Sequence, residues 1–267
     1  MTSPRPATNA SRFWLRVLAL GIGLAVLAAA AAGTWYLFLR APAPSAVALG
    51  AEPAATATPT ADPTESTEAA TPDPARAEAA APAGLDGAWT VDGSIGSFDD
   101  FSGSFVGYRV QEELVGVGAA TAVGRTPDVG GSLVLQGTTI TEASFEADLT
   151  TLQSDNGMRD GQLGRQGLET DTYPTATFVL AEPIDLGSVP AEGETILATA
   201  VGDLTLHGVT QPVEIPVEAR LAGGVVTVVG SLPIAFRDYG MTAPESMRVL
   251  SIDENGTMEF QLHFTQG

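Results

Sequence analysis

Few residues in this chain are of the types that catalyse reactions or bind metal ions. It contains no cysteine and only two histidines, His207 and His263. The lack of cysteine excludes disulfides, thiolate metal sites and a cysteine nucleophile. Neither histidine has an acidic partner at the helical spacing of zinc-binding motifs, and the chain has no phosphate-binding loop, dinucleotide fingerprint or serine-hydrolase motif. The sequence therefore predicts neither a catalytic centre nor a metal site.

One pair of charged residues could contact a polar ligand group. Arg159 and Asp160 are adjacent within residues 155–168, a glycine-rich stretch that interrupts a strand-like pattern. Asp155 or Asn156 can cap a helix here, but the interior glycines weaken it, so we predict one or two broken helical turns. The charged pair could fix this helical excursion against neighbouring strands as an ion pair or cap. Alternatively, it could form a polar mouth that binds a ligand head group.

The residues around His207 must be positioned by two strands. Residues 213–221 alternate strictly between apolar and polar side chains, which indicates a half-buried antiparallel strand. Residues 202–206 alternate in the same way, and we expect the chain between them to turn at His207, Gly208 and Pro212. The two strands would form a hairpin. His207 would then either support the turn with a hydrogen bond or contact a ligand.

Most of residues 84–267 is patterned as short strands separated by turns. About eight antiparallel strands with one helical excursion are typical of a closed barrel or a sandwich. An eight-stranded barrel can hold one small ligand, but the pattern does not separate a filled core from a cavity. His263 falls on the polar face of the last strand, so we expect it to be exposed to solvent. The predicted strands are residues 101–110, 133–135, 143–149, 175–180, 196–206, 213–221, 225–236 and 257–264.

The chain has one segment that could cross a membrane. Residues 17–39 carry no charge, and a helix of this length spans about 34 Å, enough for a hydrocarbon core of about 30 Å. Three arginines precede the segment, and the positive-inside bias places residues 1–16 in the cytoplasm. A cleaved signal peptide ending near residues 28–32 is the alternative, but the apolar run continues beyond that point. We expect an uncleaved single-pass anchor in the cell membrane, with the C-terminal domain extracytoplasmic.

Residues 41–83 form a predicted linker between the anchor and the strand-rich domain. They are rich in Pro, Ala, Thr and Glu and contain almost no large apolar residue, which indicates disorder. A flexible chain of this length has an r.m.s. span of roughly 35–40 Å. The whole chain has a net charge of −20, which repels phosphate backbones, so we expect no nucleic-acid partner.

Four segments of the domain resemble the YceI-like family. Residues 202–213 resemble its central signature, residues 89–92 its opening strand, residues 159–163 and 173–178 its helix-to-strand passage, and residues 236–240 a late segment. The resemblance covers about residues 84–267. It implies an all-β fold, an antiparallel lipocalin-like β-barrel of about eight strands with one short helical excursion, preceded here by the transmembrane helix.

The resemblance also implies a ligand and the residues that bind it. We expect an isoprenoid lipid, or an isoprenoid quinone, inside the barrel of a membrane-tethered carrier that is not an enzyme and needs no other cofactor. Related barrels often pair, so a homodimer is also expected. The alternative is a non-catalytic protein- or envelope-binding β module with a filled core; an enzyme acting on a lipid has no motif in its favour. The expected ligand-binding residues are Arg159, Asp160, Leu163, Phe178, Leu204, His207, Phe236 and Phe260.

Overall fold

The computed structural model of the chain describes residues 43–49, 84–244 and 249–267. The predicted anchor, residues 17–39, and most of the predicted linker lie outside this part. Among the described residues, no helix has the length and apolar character needed to span a bilayer. The chain divides into two compact units, residues 1–44 and residues 45–267, and the second contains the strands.

Strands make up more than half of the described residues of the second unit. Its described part contains one short α-helix, α1, which spans Gly157–Gln162 and continues into a π-helical turn at Leu163–Gly167. Turns of 3-10 helix occur at Leu149–Thr151 and Phe236–Tyr239. The strands are β1 (Gly87–Val91), β2 (Phe105–Leu114), β3 (Gly118–Thr126), β4 (Val129–Gln136), β5 (Thr139–Asp148), β6 (Gln153–Ser154), β7 (Thr175–Leu180), β8 (Ile184–Asp185), β9 (Thr195–Leu206), β10 (Val209–Ala222), β11 (Val225–Ala235), β12 (Val249–Ile252) and β13 (Asn255–Gln266).

Eight of the strands close an antiparallel barrel. They follow the order β1-β4-β5-β7-β9-β10-β11-β13, and β13 pairs back with β1. Closure leaves this ring without an exposed edge. The barrel of eight strands and the single helical excursion predicted from the sequence are confirmed. Asn156, one of the two residues predicted to cap this helix, accepts a hydrogen bond from the backbone N–H of Met158.

The two parts of the long strand β13 pair with different strands, and this distinguishes the two ends of the barrel. Its C-terminal part pairs with β1, whereas residues Thr257–Gln261 pair with β2, which continues the wall through β3 and β6. We call the end that carries α1, the β2–β3 turn and β12 the helical end, and the opposite end the Trp89 end. Trp89 is buried there in a core cluster with Leu135, Leu221, Leu262 and Phe264. A cluster of packed apolar side chains therefore forms the core at the Trp89 end.

Glycines let aromatic rings lie flat against the inner wall of the barrel. A β-carbon at any of four strand glycines would overlap the ring of a neighbouring strand. The rings occupy the space over the bare glycine backbone, as in aromatic rescue of glycine in sheets. This arrangement keeps the rings close to the wall and out of the lumen. The pairs are Gly124 with Tyr108, Gly131 with Phe145, Gly202 with Phe178 and Gly230 with Phe260.

The predicted hairpin is present, but its turn is shorter than expected. Only His207 and Gly208 lie between β9 and β10, and both have positive φ, +52° and +72°. Pro212 does not lie in the turn; it is within β10, opposite Asp203. The register of this hairpin begins with Val209 opposite Leu206, so the alternating pattern of β10 starts four residues before the strand predicted from the sequence.

His263 is buried, although the sequence predicted that it would be exposed. It does point outward from β13, but residues 92–104 form a loop that covers this part of the barrel wall. Its Nε2 lies 2.8 Å from the Ser102 carbonyl oxygen, and its Nδ1 lies 2.9 Å from Thr227 Oγ1. The prediction failed because strand parity identifies the outer face but does not show which loop packs on it.

A buried ion-pair cluster lies on the same outer face. Arg125 donates to the Glu259 carboxylate from Nη2 at 2.6 Å, and Arg109 Nε donates to it at 3.3 Å. The rings of Phe101 and Phe105 pack on the Arg125 guanidinium at 4.4 and 4.2 Å. Arg125 Nη2 also donates to the backbone carbonyl of Ser45 at 3.0 Å, so Ser45 contacts this cluster.

Candidate functional site

Two apolar cavities lie inside the barrel. The outer cavity has a volume of about 140 Å³ and lies at the helical end, and the inner cavity has about 130 Å³ and lies in the middle of the barrel. Val106, Ala176 and Met258 line both cavities, so the two adjoin. A smaller cavity of about 70 Å³ adjoins the inner one at the Trp89 end. An apolar cavity of about 150 Å³ can hold a molecule of the size of benzene, so the row of cavities suits an elongated apolar ligand.

The inner cavity exists because many inward-facing side chains are small. Its wall combines large aliphatic and aromatic residues with six alanines, and the aromatic rings lie over glycines as described above. An alanine at an inward position leaves unfilled the volume that a leucine or isoleucine would occupy in a packed core. The alanines are Ala143, Ala147, Ala176, Ala198, Ala200 and Ala219.

A small group of polar side chains lies beside the outer cavity, at the helical end. Arg159 and Glu112 line the outer cavity and form an ion pair, with Nη2 2.6 Å from Oε1. Arg159 Nη1 also lies 2.5 Å from Asp155 Oδ1. Burial alone would lower the pKa of Arg159, but the two carboxylates outweigh it and hold that pKa above its ordinary value. The guanidinium therefore stays charged and fastens α1 to β2.

Tyr108 contributes an unpaired hydroxyl to the outer cavity. Its Oη is buried and has no hydrogen-bond partner among the described residues. Burial raises the pKa of Tyr108 well above its ordinary value, against the opposing effect of Arg159, so the hydroxyl keeps its proton and remains a donor. A buried donor without an acceptor costs about 1–3 kcal/mol, and a ligand oxygen at this position would recover that cost.

Six of the eight residues expected to bind a ligand line the two cavities. Arg159, Leu163 and Phe236 lie around the outer cavity. Phe178, Leu204 and Phe260 lie around the inner cavity. Asp160 and His207 line neither. The resemblance and the alternating pattern thus selected mostly residues that the fold brings to the lumen.

Asp160 and His207 contact protein groups in the structure. The Asp160 carboxylate accepts hydrogen bonds from the Ser154 backbone N–H at 3.1 Å and from its hydroxyl at 2.5 Å. His207 Nδ1 lies 3.1 Å from the Tyr239 carbonyl oxygen, and its ring packs on Tyr173 with centroids 4.4 Å apart. Arg159 and Asp160 do not pair with each other, yet both hold the helical excursion in place, through different partners.

A polar depression on the surface borders the outer cavity. It is lined by Asp160, Arg165 and Asp171 and has a volume of about 280 Å³. The residues that line both the depression and the outer cavity are all leucines, so a thin apolar partition separates them. These residues are Leu149, Leu152, Leu163 and Leu168.

Sequence reasoning missed the residues that decide the size and polarity of the lumen. Tyr108 has the inward parity of Val106 and Val110, and this parity was the signal that could have placed it. Ala176 precedes Phe178 on the same face of β7.

Comparison with known proteins identifies the family. Residues 89–264 match the YceI-like domain. A polyisoprenoid-binding domain from Saccharophagus degradans implicated in plant cell wall breakdown is 24% identical, with a TM-score of 0.53, over 67% of this chain and 98% of that domain. BcnA from Burkholderia cenocepacia is 21% identical, with a TM-score of 0.49, over 65% of this chain and 98% of that protein. No curated protein matches the sequence. At 24% identity, the Saccharophagus degradans domain shows that the fold is shared. Because the YceI-like domain match spans more than half of the 267 residues of the chain, the chain belongs to the YceI-like family.

Proposed function

We propose that this protein is an extracytoplasmic carrier that holds a polyisoprenoid or a similar long apolar lipid inside its barrel. The observation that carries this proposal is the row of adjoining apolar cavities between the helical end and the Trp89 end. Each methylene-sized group of a lipid that leaves water for this lumen gains about 0.8 kcal/mol. The similarity to a polyisoprenoid-binding domain supports the same ligand class. Residues 17–39 would anchor the protein in the cell membrane, near its lipid source.

The hollow lumen argues against the alternative of a binding module with a filled core. Such a module would need packed side chains where the inner cavity lies. Here Ala176 and Ala200 face that space, and the Phe178 ring lies over Gly202. A carrier needs this arrangement, because its cargo occupies the space that the small residues leave.

The polar groups of the outer cavity favour a lipid with an uncharged head. Beside the outer cavity, the Arg159 guanidinium already pairs with two carboxylates, those of Glu112 and Asp155. A phosphate head group would meet more negative than positive charge here and would lose its hydration. The Tyr108 hydroxyl offers one donor instead, which suits a carbonyl or hydroxyl oxygen such as those of an isoprenoid alcohol or quinone.

Extraction of the protein from its own host tests the proposed ligand. The full-length chain is purified from host membranes, extracted with organic solvent and analysed by mass spectrometry. We expect a long-chain isoprenoid at a constant ratio to protein over repeated preparations. Protein that is folded and repeatedly free of any apolar lipid would contradict the proposal.

Tyr108→Phe should separate ligand affinity from protein stability. The variant removes the donor for the ligand head but also removes an unsatisfied buried hydroxyl. We expect farnesol to bind about fivefold more weakly, as the loss of one hydrogen bond implies, while the unliganded protein becomes no less stable. Calorimetric titration with farnesol and farnesyl phosphate, and thermal unfolding, measure the two effects. Tyr173→Phe, outside both cavities, is the matched control, and unchanged farnesol binding by Tyr108→Phe would remove the hydroxyl from the ligand site.

A further inference from the structure

Exposed apolar side chains concentrate at the helical end of the barrel. The described residues include seven large hydrophobic side chains that are exposed to solvent. Val179 lies on the outer wall, whereas Val189 and Leu197 lie toward the Trp89 end. The other four belong to the elements that define the helical end, and we call them the apolar rim. They are Val115 at 54% exposure, Val117 at 43%, Met158 at 64% and Leu250 at 63%.

Strand register places the members of the apolar rim side by side. Leu250 lies at an irregularity between Val249, which is opposite Leu114, and Ser251, which is opposite Glu113. Val115 follows Leu114 directly, so Leu250 and the β2–β3 turn are neighbours, since paired strands lie about 4.8 Å apart. Met158 is the second residue of α1 and precedes Arg159, whose guanidinium binds Glu112 of the same strand β2. The rim therefore surrounds the end of β2.

The apolar rim lies at the same end as the outer cavity. Inward residues of β2 line that cavity as far as Glu112, and the first rim residue, Val115, lies three residues further along the chain, just beyond the strand. Single exposed hydrophobic residues are common on protein surfaces, but a group of them beside a cavity marks a binding surface. We propose that the apolar rim docks on the surface of a lipid bilayer, where the carrier takes up or delivers its cargo.

A bilayer suits this position better than a second copy of the chain. This argument rests on the proposed lipid-carrier function. A lipid tail that leaves the outer cavity through water loses about 0.8 kcal/mol for each methylene-sized group, and direct contact between the rim and the bilayer avoids that exposure. A second copy seated on the rim would instead cover the cavity end. Such a copy would block transfer while both subunits remained bound.

The charges beside the rim indicate which bilayer surface it contacts. Glu113 lies on β2 next to Leu114, and Asp155, at 45% side-chain exposure, precedes α1. These carboxylates repel anionic head groups, so docking depends on insertion of the apolar side chains. Vesicles of phosphatidylcholine should therefore support the contact better than vesicles rich in phosphatidylglycerol.

Single labels on the full-length chain test the docking of the rim. Because the chain contains no cysteine, Val117→Cys, Met158→Cys and Leu250→Cys each accept one environment-sensitive NBD group. Leu197→Cys is the matched control, since Leu197 is 75% exposed and lies toward the other end of the barrel. In phosphatidylcholine vesicles with spin-labelled lipids, the three rim labels should lose most of their fluorescence and the control label should not. Equal quenching at all four positions would overturn the proposal.

Further outcomes distinguish this proposal from its alternatives. Rim labels that are shielded by a second copy without lipid, in proportion to protein concentration, would assign the rim to a dimer interface and overturn membrane docking. Mass spectrometry of the same samples reports retained lipid, so a failure of the carrier function is seen separately from a failure of docking.

The variant with Val117→Asp and Leu250→Asp should slow lipid transfer between vesicles at least about tenfold, while the amount of retained lipid stays the same.

Discussion

Ala176→Phe is expected to abolish lipid retention while the barrel stays folded. Ala176 lines both the outer and the inner cavity, so its side chain stands where a bound lipid tail would pass from one to the other. A phenyl ring is about the size of the molecule that a cavity of about 150 Å³ accommodates, and it would fill this junction. A tail excluded from the inner cavity loses at least three buried methylene-sized groups. Retention should fall about 50-fold or more.

The strand that carries Ala176 also supplies a matched control. Val179 lies on β7 with its side chain on the outer wall, 50% exposed, so Val179→Phe adds an aromatic ring to the same strand without entering the lumen. Both variants are purified at full length from host membranes, and their lipid content is measured by mass spectrometry relative to protein. The free energy of unfolding is measured in parallel, because overpacking costs about 1–3 kcal/mol. Lipid retained equally by both variants would show that the cargo does not occupy the lumen.

The barrel was largely predictable from the sequence because its strands obey one local rule. Apolar and polar side chains alternate along β13, and the inward positions of β7 and β9 are apolar or glycine. The predicted bounds of these strands agree with the structure to within about two residues. The predicted excursion also matches α1 and the turn that follows it, because asparagine and glycine control helix starts and interruptions locally. Strand β3 was missed because Gly118–Thr126 combines small residues with little hydrophobic contrast.

The features that depend on contacts between distant segments were not predictable in this way. The sequence does not show that β13 pairs with both β1 and β2, or that residues 92–104 cover its outer face and bury His263. The partners of Arg159 were also missed, because Glu112 is 47 residues away along the chain. Inward parity could likewise suggest Tyr108 as a lumen residue, but only the packing around it shows that its hydroxyl has no partner in the described part of the chain.

Glu259 is one of these nonlocal features, and it has a large expected effect on stability. It faces outward from β13, as its polar character requires, yet it is only 1% exposed. Its carboxylate compensates the charge of Arg125, whose side chain is 4% exposed and packs against two phenyl rings. Arg109 shares the carboxylate but is 19% exposed, so water can solvate it. Loss of the carboxylate would therefore leave Arg125 as a buried charge without a counterion.

Glu259→Ala is expected to lower the free energy of unfolding by about 3–5 kcal/mol, because truncating one partner of a buried ion pair has this cost. Chemical denaturation of the full-length protein measures the effect. Asp238→Ala is the control: its partner Arg237 is 82% exposed, and loss of this surface pair should change stability by less than about 1 kcal/mol.

A double variant separates the buried charge from the lost packing. Glu259→Met together with Arg125→Met replaces the pair by apolar side chains of similar length, which often leaves stability unchanged or higher. We expect the double variant to recover most of the stability that Glu259→Ala loses, because the uncompensated charge is gone. If the double variant were as unstable as Glu259→Ala, the uncompensated charge of Arg125 would not be the cause of the lost stability. The hydrogen bonds from Arg125 to Glu259 and Ser45 would then be the main reason why this outer face of the barrel is stable.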